Sequence, residues 1–314
     1  MVNQHNANPK PLQHHVWQKY LRSWSDGEGK VCCLQNNRVF ATGTAVLGAE
    51  RYFYKVPDLT EQDLALLNWL ALGKADPQLR SHHELLINNV LGPILFVRRN
   101  RDSLNNLHLI DKVIEAHSTN AVDNQHTMLE GFVDPLLSRA LAGDIRWYNN
   151  VPDCIAFCNF IAAQHMRTTG VKSKTIRRLQ EHMGLDISRI WDILALTYGF
   201  NIGRSLFLER KRRELILIKN ESAMPFVTSD LPVTNLYGTG EAPPSMLSFY
   251  YPISPWRALY LGEPDEATRI AREPMSEAAV TGLNLTIAKK SYRQIYAHAP
   301  VVLEVVRDRL NQAA

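Results

Sequence analysis

From Thr60 to about Arg210 the sequence repeats apolar residues at three- and four-residue steps almost without a break, and short β-patterned runs lie on both sides of that stretch. The strands have to find partners across the helical middle. The pattern predicts an α+β fold, mainly helical, with a small mixed or antiparallel sheet built from N-terminal and C-terminal strands. No linker-like stretch interrupts it, so residues 13–314 read as a single domain whose helical lobe covers 60–210. The polar start "MVNQHNANPKPL" (1–12) lacks the apolar segment of a signal peptide and reads as disordered.

Local signals mark the elements. "KVCCLQNNRVFATG" predicts two strands around an Asn36–Asn37 turn, because Asn tolerates positive φ, and "RYFYKV" (51–56) predicts a third. Thr60 and Asp63 have capping-box spacing at the head of one helix, as do Ser81 and Glu84 at the head of the next, where Pro93 is expected to kink or split it. Helices follow over 104–142, with Pro135 opening a further one, and over 151–167, 172–184 and 186–210. Beyond them, "ELILIKN" (214–220) and "PFVTSD" (225–230) predict a hairpin. "SFYYPIS" and "RALYLG" predict strands, and 276–298 a long helix before a C-terminal one.

Charge and motif content narrow the function classes. A net charge of +4 permits a polyanionic partner without requiring one. No apolar run approaches the ~18 residues of a membrane span, so no membrane partner and a cytoplasmic location are expected. Cys32, Cys33, Cys154 and Cys158 have neither zinc-knuckle nor Cys-x-x-Cys spacing and read as buried reduced thiols. There is no Gly-rich phosphate loop, Gly-x-Ser-x-Gly elbow, His-Glu-x-x-His or dinucleotide fingerprint. An NTPase, an α/β-hydrolase, a zincin and a dinucleotide enzyme are disfavoured, and neither metal nor cofactor is expected.

Polar residues in apolar places carry the remaining information. In "FVTSDLPV" (226–233) a buried-strand pattern gives way to Thr228, Ser229 and Asp230 before Pro232 stops pairing. These residues either hold a turn or line a site. On the helix at 151–167, Phe157, Phe160, Gln164 and Arg167 share one stripe, so a core-facing Gln and Arg need partners. Asn284 lies at the edge of an apolar face, and His14 opens the aromatic-rich "HHVWQKYLRSW". The basic runs "FVRRNRD" and "ERKRRE" read as solvated helix ends, with a phosphate-backbone role as the alternative.

Together these segments resemble the bacterial family known as domain of unknown function 4238. "HHVWQKYLRSW" resembles its N-terminal His-Tyr-Val-Pro-Gln-Phe-Tyr-Leu pattern. "FIAAQHMRTT" (160–169) is similar to its Phe-x-x-x-Gln-x-x-Arg-Thr-Pro pattern, and "FVTSDLPV" to its Thr-Ser-Asp-x-Pro box. His15, Trp17, Lys19, Thr169 and Leu231 depart from those patterns. The resemblance carries no reaction, but it singles out His14, Gln164, Arg167, Thr228, Ser229, Asp230 and Asn284 as one set. Their chemistry supports three readings. The first is a metal-independent, nuclease-like or phosphate-directed hydrolase acting on nucleic acid or a nucleotide, of toxin or phage-defence type. There Arg167 stabilises phosphoryl charge, His14 moves protons and Asp230 orients His14, while Gln164, Thr228, Ser229 and Asn284 bind substrate. The second is a non-catalytic binding or structural module in which the same residues hold the fold. The third is a nucleotide N-glycosidase.

Overall fold

A computed structural model of the chain describes residues 8–73, 75–238, 246–270 and 275–312. Of the polar start expected to be disordered, residues 1–7 lie outside the described residues. From residue 8 onward the chain is tied down. Asn120 Nδ2 donates to the Asn8 carbonyl at 2.9 Å, and the Lys10 N–H donates to Asn120 Oδ1 at 2.9 Å.

Strand β1 (Leu12–His14) leads into the short helix α1 (Gln18–Leu21) and the hairpin β2 (Lys30–Gln35) and β3 (Arg38–Gly43). Asn36 (φ 49°) and Asn37 (φ 63°) make its turn, as the Asn pair requires. Strand β4 (Ala49–Arg51) pairs antiparallel with β1, His14 opposite Ala49. The strand expected over 51–56 ends there. Tyr52 takes φ 55° and gives its N–H to the Pro11 carbonyl at 2.7 Å, which turns the chain out of the ladder.

Helix α2 (Glu61–Ala71) begins with the reciprocal box. The Asp63 N–H donates to Thr60 Oγ1 at 3.1 Å, and Asp63 Oδ2 accepts the Thr60 N–H at 2.8 Å. Helix α3 (Pro77–Asn100) starts ahead of Ser81, because Asp76 caps it by accepting the Gln78 N–H at 2.8 Å and Pro77 stands in its first turn. Pro93 does not split α3, nor does Pro135 open a new helix inside α4 (Leu107–Leu141). Both prolines are exposed, so the carbonyls they leave unbonded, on Asn89 and Gly131, face water. Helices α5 (Val151–Met166), α6 (Thr169–Met183) and α7 (Trp191–Leu208) complete the helical middle.

The last third holds β5 (Glu214–Lys219), β6 (Thr228–Ser229), β7 (Thr234–Asn235), β8 (Phe249–Ser254) and β9 (Arg257–Gly262). After these come α8 (Pro264–Ile270), α9 (Glu277–Lys290), β10 (Ile295–Ala297) and α10 (Pro300–Gln312). One sheet has the order β3-β2-β10-β6 and another β5-β9-β8-β7, and all their pairings are antiparallel. The N-terminal hairpin therefore meets the C-terminal strand β10 across the helical middle, as the sequence pattern implies. Two expectations are corrected. β5 does not form a hairpin with β6. It pairs with β9, because Asn220 gives its N–H to the Trp256 carbonyl at 3.0 Å and its side chain folds over Ser222 and Met224. The helix expected to reach 298 stops at Lys290, and Ile295–Ala297 is strand.

One core lies under the two larger sheets, filled by Trp24, Phe157, Phe160, Tyr251 and Tyr296. A second lies among the helices around Leu67, Val90, Trp191 and Leu194. Helices α5 and α7 lie side by side between them. A Cβ on Gly203 would meet the Asn159 Cα at 2.8 Å, so only glycine allows this approach. Gly203→Ala is expected to force the helices apart and cost roughly 1–3 kcal/mol in urea unfolding. Gly131→Ala on α4, where a Cβ meets nothing within 4 Å, is expected to stabilise by roughly 0.5–1 kcal/mol.

Candidate functional site

The stretch 226–233 runs from one large sheet to the other, and its polar atoms are bonded within the chain. Asn284 Oδ1 accepts the Val227 N–H at 2.9 Å, and Asn284 Nδ2 donates to the Pro225 carbonyl at 2.8 Å. The Tyr20 hydroxyl lies 2.5 Å from Thr228 Oγ1 and 2.6 Å from the Pro252 carbonyl. Ser229 Oγ accepts the Leu231 N–H at 3.1 Å. Asp230 Oδ1 accepts the N–H of Tyr292 at 2.8 Å, and Oδ2 those of Arg293 at 2.6 Å and Gln294 at 3.0 Å. Burial pushes the Asp230 carboxyl up against the pull of those three donors. Asp230 therefore fastens the turn between α9 and β10.

A second cluster lies deeper, at the end of α5. The stripe of Phe157, Phe160, Gln164 and Arg167 faces the interior along its whole length. Arg167 Nη2 meets Glu130 Oε1 at 2.7 Å and also bonds Gln164 Oε1, while Gln164 Nε2 donates to the His15 carbonyl at 2.9 Å. Burial opposes the Arg167 charge, and Glu130 on α4 restores it. Burial pushes the Glu130 carboxyl up, and Arg167 offsets part of this. His126, one turn before Glu130, packs on Tyr54 at 5.0 Å between ring centroids. His14 is half-buried and near enough to feel the Arg167 charge. Burial lowers its pKa, with backbone bonds to Thr44 and Ala45 working the other way. Among the described residues, the buried atoms Arg167 Nε, His14 Nε2 and His126 Nε2 have no hydrogen-bond partner.

Asp230 lines a cleft of about 420 Å³, and His14 and Arg167 are not among its lining residues. The histidine that reaches it is His15. The other walls are Glu50 and Arg51 on β4, Thr169 at the start of α6, and the turn Tyr292–Gln294. Three features set its electrostatics. Arg51 and Arg293 have no carboxylate partner among the described residues. The Arg293 guanidinium carbon lies 4.9 Å from the centre of the Tyr292 ring, which itself rests on Gly170. Thr168, at the N-cap of α6, makes no side-chain cap and instead donates its hydroxyl to the His165 carbonyl at 3.0 Å. Glu50 Oε1 accepts the Thr169 hydroxyl at 3.3 Å and stands 4.0 Å from His15 Nε2.

The seven expected residues thus fall into two neighbourhoods. Asp230 reaches the cleft. Gln164 and Arg167 lie in the buried cluster beside it, His14 is half-buried and does not line the cleft, and Thr228, Ser229 and Asn284 bond within the chain. Sequence reasoning missed Glu50, Arg51, Tyr292 and Arg293, which carry no local mark. It noted His15 and Thr169 only as departures from a pattern, and both line the cleft. The run at Arg98–Arg101 is partly self-neutralised, by Arg98 with Glu61 at 3.1 Å and Arg101 with Asp111 at 2.7 Å. The four cysteines are buried and free, and burial raises Cys33 to about 12 with Asp230 adding to the shift. Among the described residues no group of three or more His, Cys, Asp or Glu could hold a metal ion. No helix among them is long and apolar enough to cross a membrane.

Comparison with known proteins gives a family. The model described as "Protein of unknown function (DUF4238)" matches residues 12–300, and the chain belongs to that family. No curated protein and no solved structure matches.

His15 gives the site a pH signature. Burial, with Arg167, His14 and Arg293 adding, lowers its pKa from 6.5 to about 3. Above pH ~6.5 the ring is neutral in folded and unfolded chain alike and adds no pH dependence. Between about 6.5 and 3 the unfolded chain binds a proton that the folded one rejects, so stability falls as pH falls. The contribution is about 1.4 kcal/mol per pH unit for one proton. Denaturant unfolding at stepped pH is expected to show His15→Asn losing less stability than wild type over that window. Equal slopes would show that His15 does not resist protonation.

Proposed function

We propose that this protein binds a phosphate-bearing ligand in the cleft beside Asp230 and directs its chemistry at the phosphate. One observation carries the reading. Arg51 and Arg293, neither with a carboxylate partner among the described residues, line the same cleft as the start of α6, whose N-cap side chain leaves the first-turn N–H groups to other acceptors. A helix N-terminus with guanidinium groups beside it suits an anion, and an arginine fork suits phosphate oxygens in particular. The volume of about 420 Å³ fits a nucleotide or the end of a nucleic-acid strand.

In this reading Asp230 is a positioning residue. It holds three successive N–H groups of the turn that presents Tyr292 and Arg293. If the ligand is cut in the cleft, the cations offset the charge developing on the phosphoryl oxygens. Proton transfer does not fall to Asp230, whose oxygens are occupied by backbone donors, nor to His14, which does not line the cleft. Isothermal titration with a nucleoside 5′-monophosphate is expected to give saturable binding that weakens as salt rises. Arg51→Ala and Arg293→Ala should each weaken it by about tenfold or more, the size of one charge-assisted contact. A folded protein that binds no phosphate compound at low salt would end the proposal.

A second reading, in which the box serves the architecture alone, draws on the internal bonds of Thr228, Ser229, Asp230 and Asn284. The two readings part at Asp230→Asn. Both expect a loss of roughly 1–3 kcal/mol, since one carboxylate acceptor becomes an amide donor facing N–H groups. Only the ligand reading expects phosphate affinity to fall as well, because Arg293 is displaced. Affinity retained in that variant would favour the architectural role.

A further inference from the structure

Glu50 is the feature of the cleft that a phosphate site alone does not explain. It stands on β4 next to Arg51, its side chain is 43% exposed, and it shares the wall with the start of α6. Its Oε1 accepts one hydrogen bond, from Thr169 at 3.3 Å, and the nearest ring nitrogen, His15 Nε2, is 4.0 Å away. That distance is too long for a hydrogen bond. His15 is also neutral at pH 7, so the contact is not an ion pair. The cleft therefore holds a carboxylate with open acceptor positions beside two cations and a helix N-terminus.

A bare phosphate there would meet repulsion from Glu50. A ligand with hydroxyl donors next to its phosphate turns the same carboxylate into a recognition group, because an ionised carboxylate accepts and never donates. A vicinal diol is the donor pair that best matches two carboxylate oxygens, and a ribose carries one within reach of its 5′-phosphate. An acidic residue holding ribose hydroxyls beside a helix-bound phosphate is a known solution in nucleotide sites on other folds.

We infer that the ligand of the cleft is a ribonucleotide whose ribose hydroxyls donate to Glu50 while its phosphate lies against the start of α6 between Arg51 and Arg293. The inference rests on the phosphate reading above and adds the sugar to it. Glu50 is then a specificity residue, separate from the cations that supply affinity.

The experiment uses the full chain at low salt with adenosine 5′-monophosphate, its 2′,3′-dideoxy analogue and inorganic phosphate, titrated calorimetrically. Wild type is expected to bind the ribonucleotide about tenfold or more tighter than the dideoxy analogue, because a site built to pair hydroxyls rejects a ligand lacking them. Glu50→Ala should bring the two nucleotides to equal affinity while inorganic phosphate binds as well as before or better, since the repulsion is gone. Glu50→Gln should keep part of the preference, and Arg293→Ala should weaken all three. Thermal melts of each variant check that the fold persists, and Glu50 is exposed enough for its replacement to be tolerated. Equal affinity of wild type for both nucleotides, or an undiminished preference in Glu50→Ala, overturns the ribose inference and leaves the phosphate reading standing. Failure of wild type to bind any of the three overturns both.

Discussion

The Asp230 carboxylate, which accepts the N–H groups of Tyr292, Arg293 and Gln294, is the contact on which the rest of the molecule depends. Its own N–H returns to the Gln294 carbonyl at 3.0 Å, so the two segments are locked in both directions. That lock takes the backbone donors beyond Lys290 away from continued helix, and α9 ends. It sets the register in which Ser229 faces Ile295 and Thr228 faces Tyr296. Through β10 it joins the box to the N-terminal hairpin, since Tyr296 also faces Cys33. A buried carboxylate has a high desolvation cost, and three backbone donors are what make it tolerable.

The buried pair of Arg167 and Glu130 does a related job one layer deeper. It joins the end of α5 to the middle of α4, and through Gln164 it reaches the backbone of His15. His15 is thus fixed from behind by the cluster and presents its ring to the cleft. The positive charge of Arg167 helps keep that ring neutral. Breaking one side of such a pair is far more damaging than replacing both, so its persistence says more about geometry than about net stability. The cleft has a rigid rear wall and a front wall made of a fastened turn. The proposed hydroxyl recognition draws on both.

Much of this was legible in the residues. The capping box at Thr60 and Asp63, the Asn36–Asn37 turn and the inward stripe of Phe157, Phe160, Gln164 and Arg167 are local patterns, and each formed as its spacing implies. The errors have a common physical origin. Pro93 and Pro135 look like breakers, yet a proline on the exposed side of a long packed helix leaves the carbonyl four residues before it to water, and packing carries the helix through. The residues after Lys290 look helical until Asp230 takes their donors. Arg51 and Arg293 look like ordinary surface cations, because nothing near them in the chain shows that they share a wall.

By itself the sequence determined most of the segment types, the need of a core-facing Gln and Arg for partners, and the need of the polar box after Val227 for partners of its own. These follow from period, capping chemistry and the cost of burying polar groups, all of which act within a few residues. Only the tertiary structure decided what the box bonds to. Asp230 meets Arg293 across 63 residues of sequence, and through that contact a residue expected to orient His14 fastens a turn. The same convergence put His15 in the cleft and left His14 out of it, and assembled Glu50, Arg51 and Thr169 from separate elements into one wall. Which distant residues share a surface depends on how strands pair and helices stack, and no local pattern encodes that choice.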